Sequence, residues 1–540
     1  MNSEKLILYQ VFTRLYGNRN TTRKEGGTIE ENGCGKLNDF TPSTLKKIRE
    51  MGVSHIWYTG VIRHATMTDY SAFGIPRQHP AVVKGRAGSP YAITDYYDID
   101  PDLAEDVPQR MQEFEALVER THKAGLKVII DFVPNHVARQ YHSICKPDGV
   151  KDLGEDDNPQ MGFDPQNNFY YCPGQRFAPY LEDPAKATGN DCFHNAPGMT
   201  DWYETVKLNY GVDYYAGGVG HFQPIPDTWS KMTDILLFWA KKGVDGFRCD
   251  MAEMVPAAFW QWATDKVKFA YPDKIFIGEV YNPAEYRNYL AAGFDYLYDK
   301  VGMYDTLRAI VCGHQSTHAI TGAWQATDDI RDHMLYFLEN HDEQRIASSF
   351  FAADAMKGVP ALVVSALLQQ NPLMVYAGQE YGERGMDREG FSGNDGRTTI
   401  FDYWSIDTLV RAARGRLTAA EKRLRDIYNK VMTIAGSEQA VTAGSTFDLM
   451  YVNGHLQQQY AFLRTYKADA LLVVANFEGL ERTVNVTIPA HAFDFLRLKE
   501  KTAQAVDLLT GEKQKLVLKR DASVSITLQP NSAAILKFKA

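Results

Sequence analysis

Ionisable side chains follow apolar runs at four places in this sequence, each at the end of a run that could form a buried strand. The four segments are Val128–His136, Gly246–Asp250, Ile275–Val280 and Tyr336–Asp342. In a barrel of parallel strands the carboxyl ends of all strands meet at one face, and active sites are built there. A carboxylate in any one segment could be a strand-end cap or half of a structural ion pair. Four in order on separate strands favour a catalytic site.

The second segment places a guanidinium beside a carboxylate. Arg248 and Asp250 are two residues apart, and because strand side chains alternate, both should point towards the barrel axis. A neighbouring arginine orients a carboxylate and favours its ionised form. That setting suits a nucleophile at Asp250, with a structural ion pair as the alternative.

The third and fourth segments add two further carboxyl groups. Glu279 follows the apolar run Ile275–Gly278, and Asp342 follows His341. A carboxyl group in a partly desolvated site beside other carboxylates can stay protonated near neutrality and act as an acid. Cleavage of a glycosidic bond requires two carboxyl groups in different electrostatic settings, because one attacks or activates water while the other protonates the leaving oxygen.

The motifs of several other chemistries are missing. Neither GxSxG, GxxxxGK[ST] nor GxGxxG occurs between a predicted strand and a predicted helix. The six cysteines form no CxxC pair and no zinc spacing, which is typical of structural thiols. A net charge of −9 without a basic cluster argues against nucleic acid and anionic membrane as partners. We find no signal peptide and no run of transmembrane length, so we expect a cytoplasmic protein.

Strand-like and amphipathic helical runs alternate over about the first 430 residues, a pattern typical of βα units around a parallel sheet. Eight strands predict an α/β fold of the (β/α)₈ TIM-barrel class. The predicted strands are Leu6–Phe12, His55–Thr59, Val128–Phe132, Gly246–Asp250, Ile275–Val280, Tyr296–Asp299, Met334–Leu338 and Leu373–Tyr376. The predicted helices include Ser43–Met51, Met111–Ala124, Trp229–Lys242 and Ala257–Tyr271. We expect Asp227 to cap the third of these helices and Gly243 to end it.

Two regions depart from this repeat. Residues 137–226, after the third strand, are rich in Gly, Pro, Asn, Asp and Tyr, and an insert of that length is usually functional or a small domain. From residue 437 the pattern changes to alternating strands and turns, which predicts an antiparallel β-sandwich over 437–540. The barrel would then comprise residues 1–136 and 227–436.

The four segments together resemble the signature regions of the α-amylase family, glycoside hydrolase family 13. These regions appear in order as Asp131–His136, Gly246–Asp250, Gly278-Glu279 and Asn340–Asp342. The resemblance extends over nearly the whole chain and implies a barrel, a domain B after the third strand and a C-terminal β domain. It implies a starch-derived α-glucan or maltooligosaccharide as the substrate, and tyrosine-rich loops would suit stacking on sugar rings.

The resemblance also implies a role for each matching residue. Asp250 would be the nucleophile that forms a covalent glucosyl intermediate, and Glu279 would be the general acid and then the base. Asp342 would bind sugar hydroxyls and stabilise the transition state, while Arg248 would orient Asp250. Such a retaining mechanism places the two reacting carboxyl groups about 5–5.5 Å apart.

Three further residues would surround the sugar at the point of cleavage. His136 and His341 would hydrogen-bond to it, by the same resemblance. The segment Pro90–Tyr96 resembles the family stretch whose first tyrosine stacks under that sugar, which assigns this role to Tyr91.

The resemblance implies no cofactor for the chemistry and leaves a structural calcium ion open. In calcium-dependent members Asn135 would be a ligand, together with an aspartate that the matching stretch Thr205–Asn209 lacks. Glu253-Met254 replaces the Lys-His pair that follows the nucleophile in α-amylases. The forms Lys207–Asn209 and Asp250–Glu253 resemble the neopullulanase and cyclomaltodextrinase branch.

Several activities share this catalytic trio. Hydrolysis of α-1,4-glucosidic bonds is the leading hypothesis. Transglycosylation, trehalose-synthase-like isomerisation and neopullulanase or cyclomaltodextrinase activity are the alternatives. A non-catalytic relative, such as the heavy chains of amino-acid transporters, is disfavoured because all three carboxylates are present.

Overall fold

Eight parallel strands close into a barrel, which confirms the predicted fold class. The computed structural model describes residues 5–179, 182–385, 391 and 393–540. The barrel strands are β1 (Ile7–Phe12), β2 (His55–Thr59), β3 (Lys127–Phe132), β4 (Gly246–Cys249), β5 (Ile275–Gly278), β6 (Tyr296–Tyr298), β7 (Met334–Phe337) and β8 (Leu373–Tyr376). Each strand pairs with its sequence neighbours, and β8 closes against β1. Every strand lies within two residues of its predicted bounds.

Helices cover the outside of the barrel, so the strands are buried on both faces and their residues are almost all apolar. The helices of six or more residues in this layer are Pro42–Glu50, Arg110–Lys123, Asp227–Lys241, Ala257–Ala270, Tyr286–Ala291, Asp305–Val311, Ala319–Gln325, Val359–Leu367, Asp407–Ala413 and Ala419–Ser437. Shorter helices are Thr13–Tyr16, Ile29–Asn32 and Gln439–Thr442. Among the described residues, none of the helices is both long enough and apolar enough to cross a membrane.

The helix Asp227–Lys241 bears out one local prediction and contradicts another. Gly243 follows its C-cap with a φ of +92°, which glycine adopts without steric strain, so the predicted helix end is confirmed. Asp227 is not the N-cap, because Pro226 takes that position in an extended conformation and Asp227 is the first helical residue. The Asp227 carboxylate instead pairs with Lys231 one turn along the helix, at 2.8 Å.

Between β3 and the helix that begins at Asp227, the chain forms short antiparallel pairs rather than a large sheet. These pairs are His136–Ala138 with Thr205–Lys207, Tyr171–Cys172 with Ala185–Lys186, and Val212–Asp213 with Val219–Gly220. The first pair sets His136 directly opposite Lys207 and so ties the insert to the rim of the barrel. A further pair, Ile62–His64 with Ile93–Ile99, lies in the loop after β2.

The C-terminal region is antiparallel, as predicted. A six-stranded sheet contains, in spatial order, Ser445–Asp448, Gln459–Tyr466, Asp469–Asn476, Ser532–Lys539, Lys501–Asp507 and Lys513–Leu518. Arg482–Ile488 pairs separately with Ala522–Leu528, and a helix spans Ala490–Leu496. The buried Arg464 donates to the carbonyl groups of Leu368, Ala440 and Val441, which fastens the sheet to the barrel. The exact boundaries at residues 136, 226 and 436 stay predictions.

Candidate active site

A cavity of about 460 Å³ opens at the carboxyl ends of the barrel strands. It is lined by five of the predicted site residues, namely Tyr91, His136, Asp250, Glu279 and Asp342. Arg248 and His341 are fully buried, and each is in contact with these lining residues. Asn135 does not line the cavity and lies in the wall behind His136.

Arg248 connects the carboxylates that the sequence places on three strands. Its Nη1 lies 2.7 Å from Asp250 Oδ1 and 3.5 Å from Asp131 Oδ1, and its Nη2 lies 2.7 Å from Glu279 Oε2. The guanidinium itself is completely buried. The prediction that Arg248 and Asp250 share the inner face of β4 is confirmed, and Arg248 also holds Glu279, which the sequence did not suggest.

Arg248 contacts three carboxylates, so the acids in contact with it outnumber its single positive charge. Burial raises the pKa of Asp250 well above its usual range; the charge of Arg248 opposes this shift, and the charges of Glu279 and Asp342 add to it. Burial also raises the pKa of Asp131 to about 6. For Asp342, desolvation and then the charge of Glu279 raise the pKa to about 7, although 43% of its side chain is exposed. Arg248 thus favours the ionised form of Asp250, as expected from the sequence, but burial and the neighbouring acids together outweigh it and raise the pKa of this carboxyl.

The two carboxyl oxygens of Glu279 have different surroundings. Oε2 accepts the backbone N–H of Met251 at 2.8 Å and contacts Arg248. Oε1 accepts the hydroxyl of Tyr281 at 2.7 Å. Met251 has a φ of +43°, a left-handed conformation that costs free energy for a side chain of this size. This backbone geometry aims the Met251 N–H at the carboxylate.

Tyr91 and His341 form a stacked pair beside Asp342. Their rings lie 5.3 Å apart at 30°, and the Tyr91 hydroxyl is 2.5 Å from His341 Nε2. Nε2 is also 3.1 Å from Asp342 Oδ2, while Nδ1 contacts the Gln10 amide at 2.9 Å. Burial, and then the charge of Arg248, lower the pKa of His341 well below its usual range, so the ring is neutral.

His136 lies on the wall of the cavity contributed by the insert. Its ring packs 5.3 Å from Trp202, and burial lowers its pKa to about 3 with help from the charges of Lys207 and Lys84. Lys84 pairs with Glu204 at 3.0 Å in the same wall. A neutral imidazole at this position can donate or accept a hydrogen bond without adding charge.

The surroundings of Asn135 do not fit a metal ion. Its Oδ1 accepts a hydrogen bond from the Nζ of Lys207 at 3.0 Å, and its amide donates to the Gly189 carbonyl. Lys207 is buried and also pairs with Asp191 at 2.6 Å. The oxygen that would bind calcium thus faces an ammonium group, which repels a second cation.

Several residues at the cavity were not predicted. Tyr281 lies two residues after Glu279, so strand alternation could have indicated it. Trp202, Lys84 and Glu204 come from irregular loops, and nothing in their spacing places them near the carboxylates. Arg397 also lines the cavity, from the loop that follows β8.

Comparison with protein families matches residues 10–415 to the α-amylase catalytic domain, which is well over half of the chain. The chain belongs to the α-amylase family. It is therefore an α-amylase-type glycosidase, and the family resemblance seen in the sequence is confirmed.

Relatives of this glycosidase have low sequence identity to it but match it over most of its length. It is 24% identical over 454 residues to α-amylase 3 of Dictyoglomus thermophilum, covering 79% of this chain and 82% of the relative. Against neopullulanase 2 of Thermoactinomyces vulgaris it is 23% identical over 558 residues, covering 99% and 78%. A maltogenic α-amylase, AmyB of Thermotoga neapolitana, has a TM-score of 0.66 at 20% identity and full coverage of both chains. At this identity the structural likeness supports the fold.

Proposed function

We propose that this enzyme is a retaining glycoside hydrolase that cleaves α-1,4-glucosidic bonds in maltooligosaccharides. The observation that carries the proposal is the contact of one buried guanidinium with both Asp250 and Glu279, at 2.7 Å each. Two carboxyl groups bound to the same guanidinium lie close together. That arrangement is compatible with the separation of about 5–5.5 Å that retaining enzymes use.

The residues around the cavity have distinct tasks in this mechanism. Asp250 attacks the anomeric carbon, and Glu279 gives its proton to the leaving oxygen. Glu279 then takes a proton from water, which releases the sugar from Asp250. Asp342 binds the sugar hydroxyls and stabilises the positive charge that develops on the ring.

Tyr91, His136 and His341 are proposed to position the sugar. Tyr91 and His136 line the cavity, and His341 orients Tyr91 and Asp342 through its Nε2. Because both imidazoles are neutral, they hydrogen-bond to hydroxyl groups and add no charge to an acid cluster that must stay partly protonated.

We also propose that the enzyme works without calcium. The Nζ of Lys207 occupies the position next to Asn135 Oδ1 and satisfies it, which supports a wall that needs no metal ion. The ammonium group joins the insert to the barrel loop, as a bound cation would.

Incubation of the purified protein with maltoheptaose tests the reaction. Shorter maltooligosaccharides alone support hydrolysis, longer ones indicate transfer, and trehalose indicates isomerisation. Cyclodextrin and pullulan as parallel substrates distinguish the cyclomaltodextrinase and neopullulanase activities. Proton NMR of the first product tests retention, since an initial α-anomer supports the double displacement and a β-anomer refutes it.

A further inference from the structure

The hydrogen bonds of Glu279 determine which of its oxygens can exchange a proton with substrate. Oε2 faces the Met251 N–H and the Arg248 guanidinium, which are both donors. A protonated Oε2 would direct its hydrogen at groups that cannot accept it. Among the described residues, the hydrogen bond to Oε1 comes from the Tyr281 hydroxyl, and both residues line the cavity. Oε1 is thus the oxygen that carries the reacting proton.

Tyr281 reaches Oε1 because of its place in the sequence. It follows Glu279 by two residues on the continuation of β5, so both side chains project to the same side. Burial, and then the charges of Glu279 and Asp342, raise the pKa of Tyr281 far above its usual range. The hydroxyl therefore keeps its own proton and remains a donor throughout.

We propose that Tyr281 is the positioning residue of the general acid. Its hydroxyl fixes the Glu279 carboxyl with Oε1 facing the cavity, and it stabilises the carboxylate that remains after the proton has been given away. This inference rests on the proposed glycosidase function and extends it to the proton transfer.

Tyr281 keeps its proton in both chemical steps. In the first, the anomeric carbon forms a bond to Asp250 while the glycosidic bond breaks, and its electron pair stays on the leaving oxygen, which receives the Oε1 proton. In the second, water bonds to the anomeric carbon and loses a proton to Oε1 while the bond to Asp250 breaks. Between the steps, Oε1 carries negative charge, and the hydrogen bond from Tyr281 is strongest then.

Y281F tests this because it removes the hydroxyl and keeps the ring. With maltotriose, whose sugar leaving group needs a proton, we expect kcat/KM to fall about 10- to 100-fold, as for loss of one hydrogen bond to a charged group. With α-maltosyl fluoride, whose fluoride leaves without protonation, we expect formation of the glycosyl-enzyme to change less than about 3-fold. The basic limb of the pH profile for maltotriose should move to higher pH, because the carboxylate has lost a donor.

Y9F is the matched control, since the Tyr9 hydroxyl also donates to a buried carboxylate, Glu380 at 2.6 Å, in the barrel wall outside the cavity. Y9F should leave the ratio between the rate with maltotriose and the rate with α-maltosyl fluoride unchanged. An equal loss of Y281F on both substrates, or no loss on maltotriose, would overturn the inference. A wild-type enzyme that cleaves neither substrate would refute the glycosidase proposal instead.

Discussion

Two fully buried arginines of this molecule, Arg248 and Arg345, differ in the number of carboxylates that they contact. Arg345 donates through Nη1 to Glu339 at 2.9 Å, through Nε to the Thr398 hydroxyl and through Nη2 to the Ala377 carbonyl. The Oε1 atom of Glu339 accepts a hydrogen bond from the backbone N–H of Ile346 at 2.7 Å. One arginine thus contacts one carboxylate, and each nitrogen of the guanidinium has an acceptor.

Arg248 contacts three carboxylates instead of one. Asp131, Asp250 and Glu279 lie within 3.5 Å of it, and Asp342 raises the local negative charge further. A stable core would not collect acids in this way, because burying unbalanced charge is costly. The excess faces the cavity, where the proposed mechanism would use it to supply a proton and to stabilise positive charge on a bound sugar. Charge balance, rather than burial, separates the functional cluster from the structural pair.

The largest expected effect is that of D250N in the unbalanced cluster. We predict a loss of kcat of about 10⁴-fold or more on maltoheptaose, because the covalent route depends on that carboxylate. The melting temperature should stay equal or rise, since one of the crowded acids becomes neutral. Steady-state kinetics and calorimetry measure both quantities. An unchanged kcat would refute Asp250 as the nucleophile.

E339Q makes the reciprocal change in the balanced pair. Removing this carboxylate leaves Arg345 buried without its partner, so we predict a loss of roughly 3–5 kcal/mol in the free energy of unfolding. Urea titration measures this loss, and kcat per folded molecule should fall far less than in D250N. If E339Q were as stable as wild type and inactive, the two arginine clusters would not differ as described.

The raised pKa of Asp131 predicts a pH dependence of stability. Its folded pKa of about 6 exceeds the unfolded value of about 3.9, so between these values the folded chain binds a proton that the unfolded chain has lost. This contribution is complete below the unfolded pKa and is lost as the pH rises through 6. As the pH rises from about 4.5 to 7.5, we expect the free energy of unfolding of D131N to increase by roughly 2 kcal/mol relative to that of the wild type. A falling or flat difference in urea titrations would contradict this.

The smallest effects concern the wall around Lys207. Replacement by methionine leaves Asn135 Oδ1 without its donor, so K207M should lose about 1–2 kcal/mol of stability. A chelator should shift the melting temperature of neither wild type nor variant. If EDTA destabilised the wild-type enzyme, a metal ion would have to bind this chain after all.

Much of this architecture follows from local sequence patterns. The barrel strands are short apolar runs between polar loops, so their bounds could be predicted to within two residues. The pairing of Arg248 with Asp250 follows from alternation along a single strand. The cap at Asp227 was wrong because Pro226, with its fixed extended conformation, takes the capping position.

Contacts between separate segments were beyond such patterns. Lys84 and Glu204 are 120 residues apart in the sequence and meet at 3.0 Å in the cavity wall. Lys207 lies close to Asn135 because two short strands pair in antiparallel fashion. No periodicity in the insert predicts this pairing. These contacts decide the shape of the cavity wall and place an ammonium group beside Asn135.

The sequence by itself therefore determined the barrel, the strand ends that carry Asp250, Glu279 and Asp342, and the family. These depend on strand period and residue type, which are local properties. Only the tertiary structure decided which acids lie close enough to shift one another's pKa, because desolvation and Coulomb energies depend on burial and on distances between strands. It also decided that Tyr281 bonds to Oε1 and that an ammonium group lies beside Asn135.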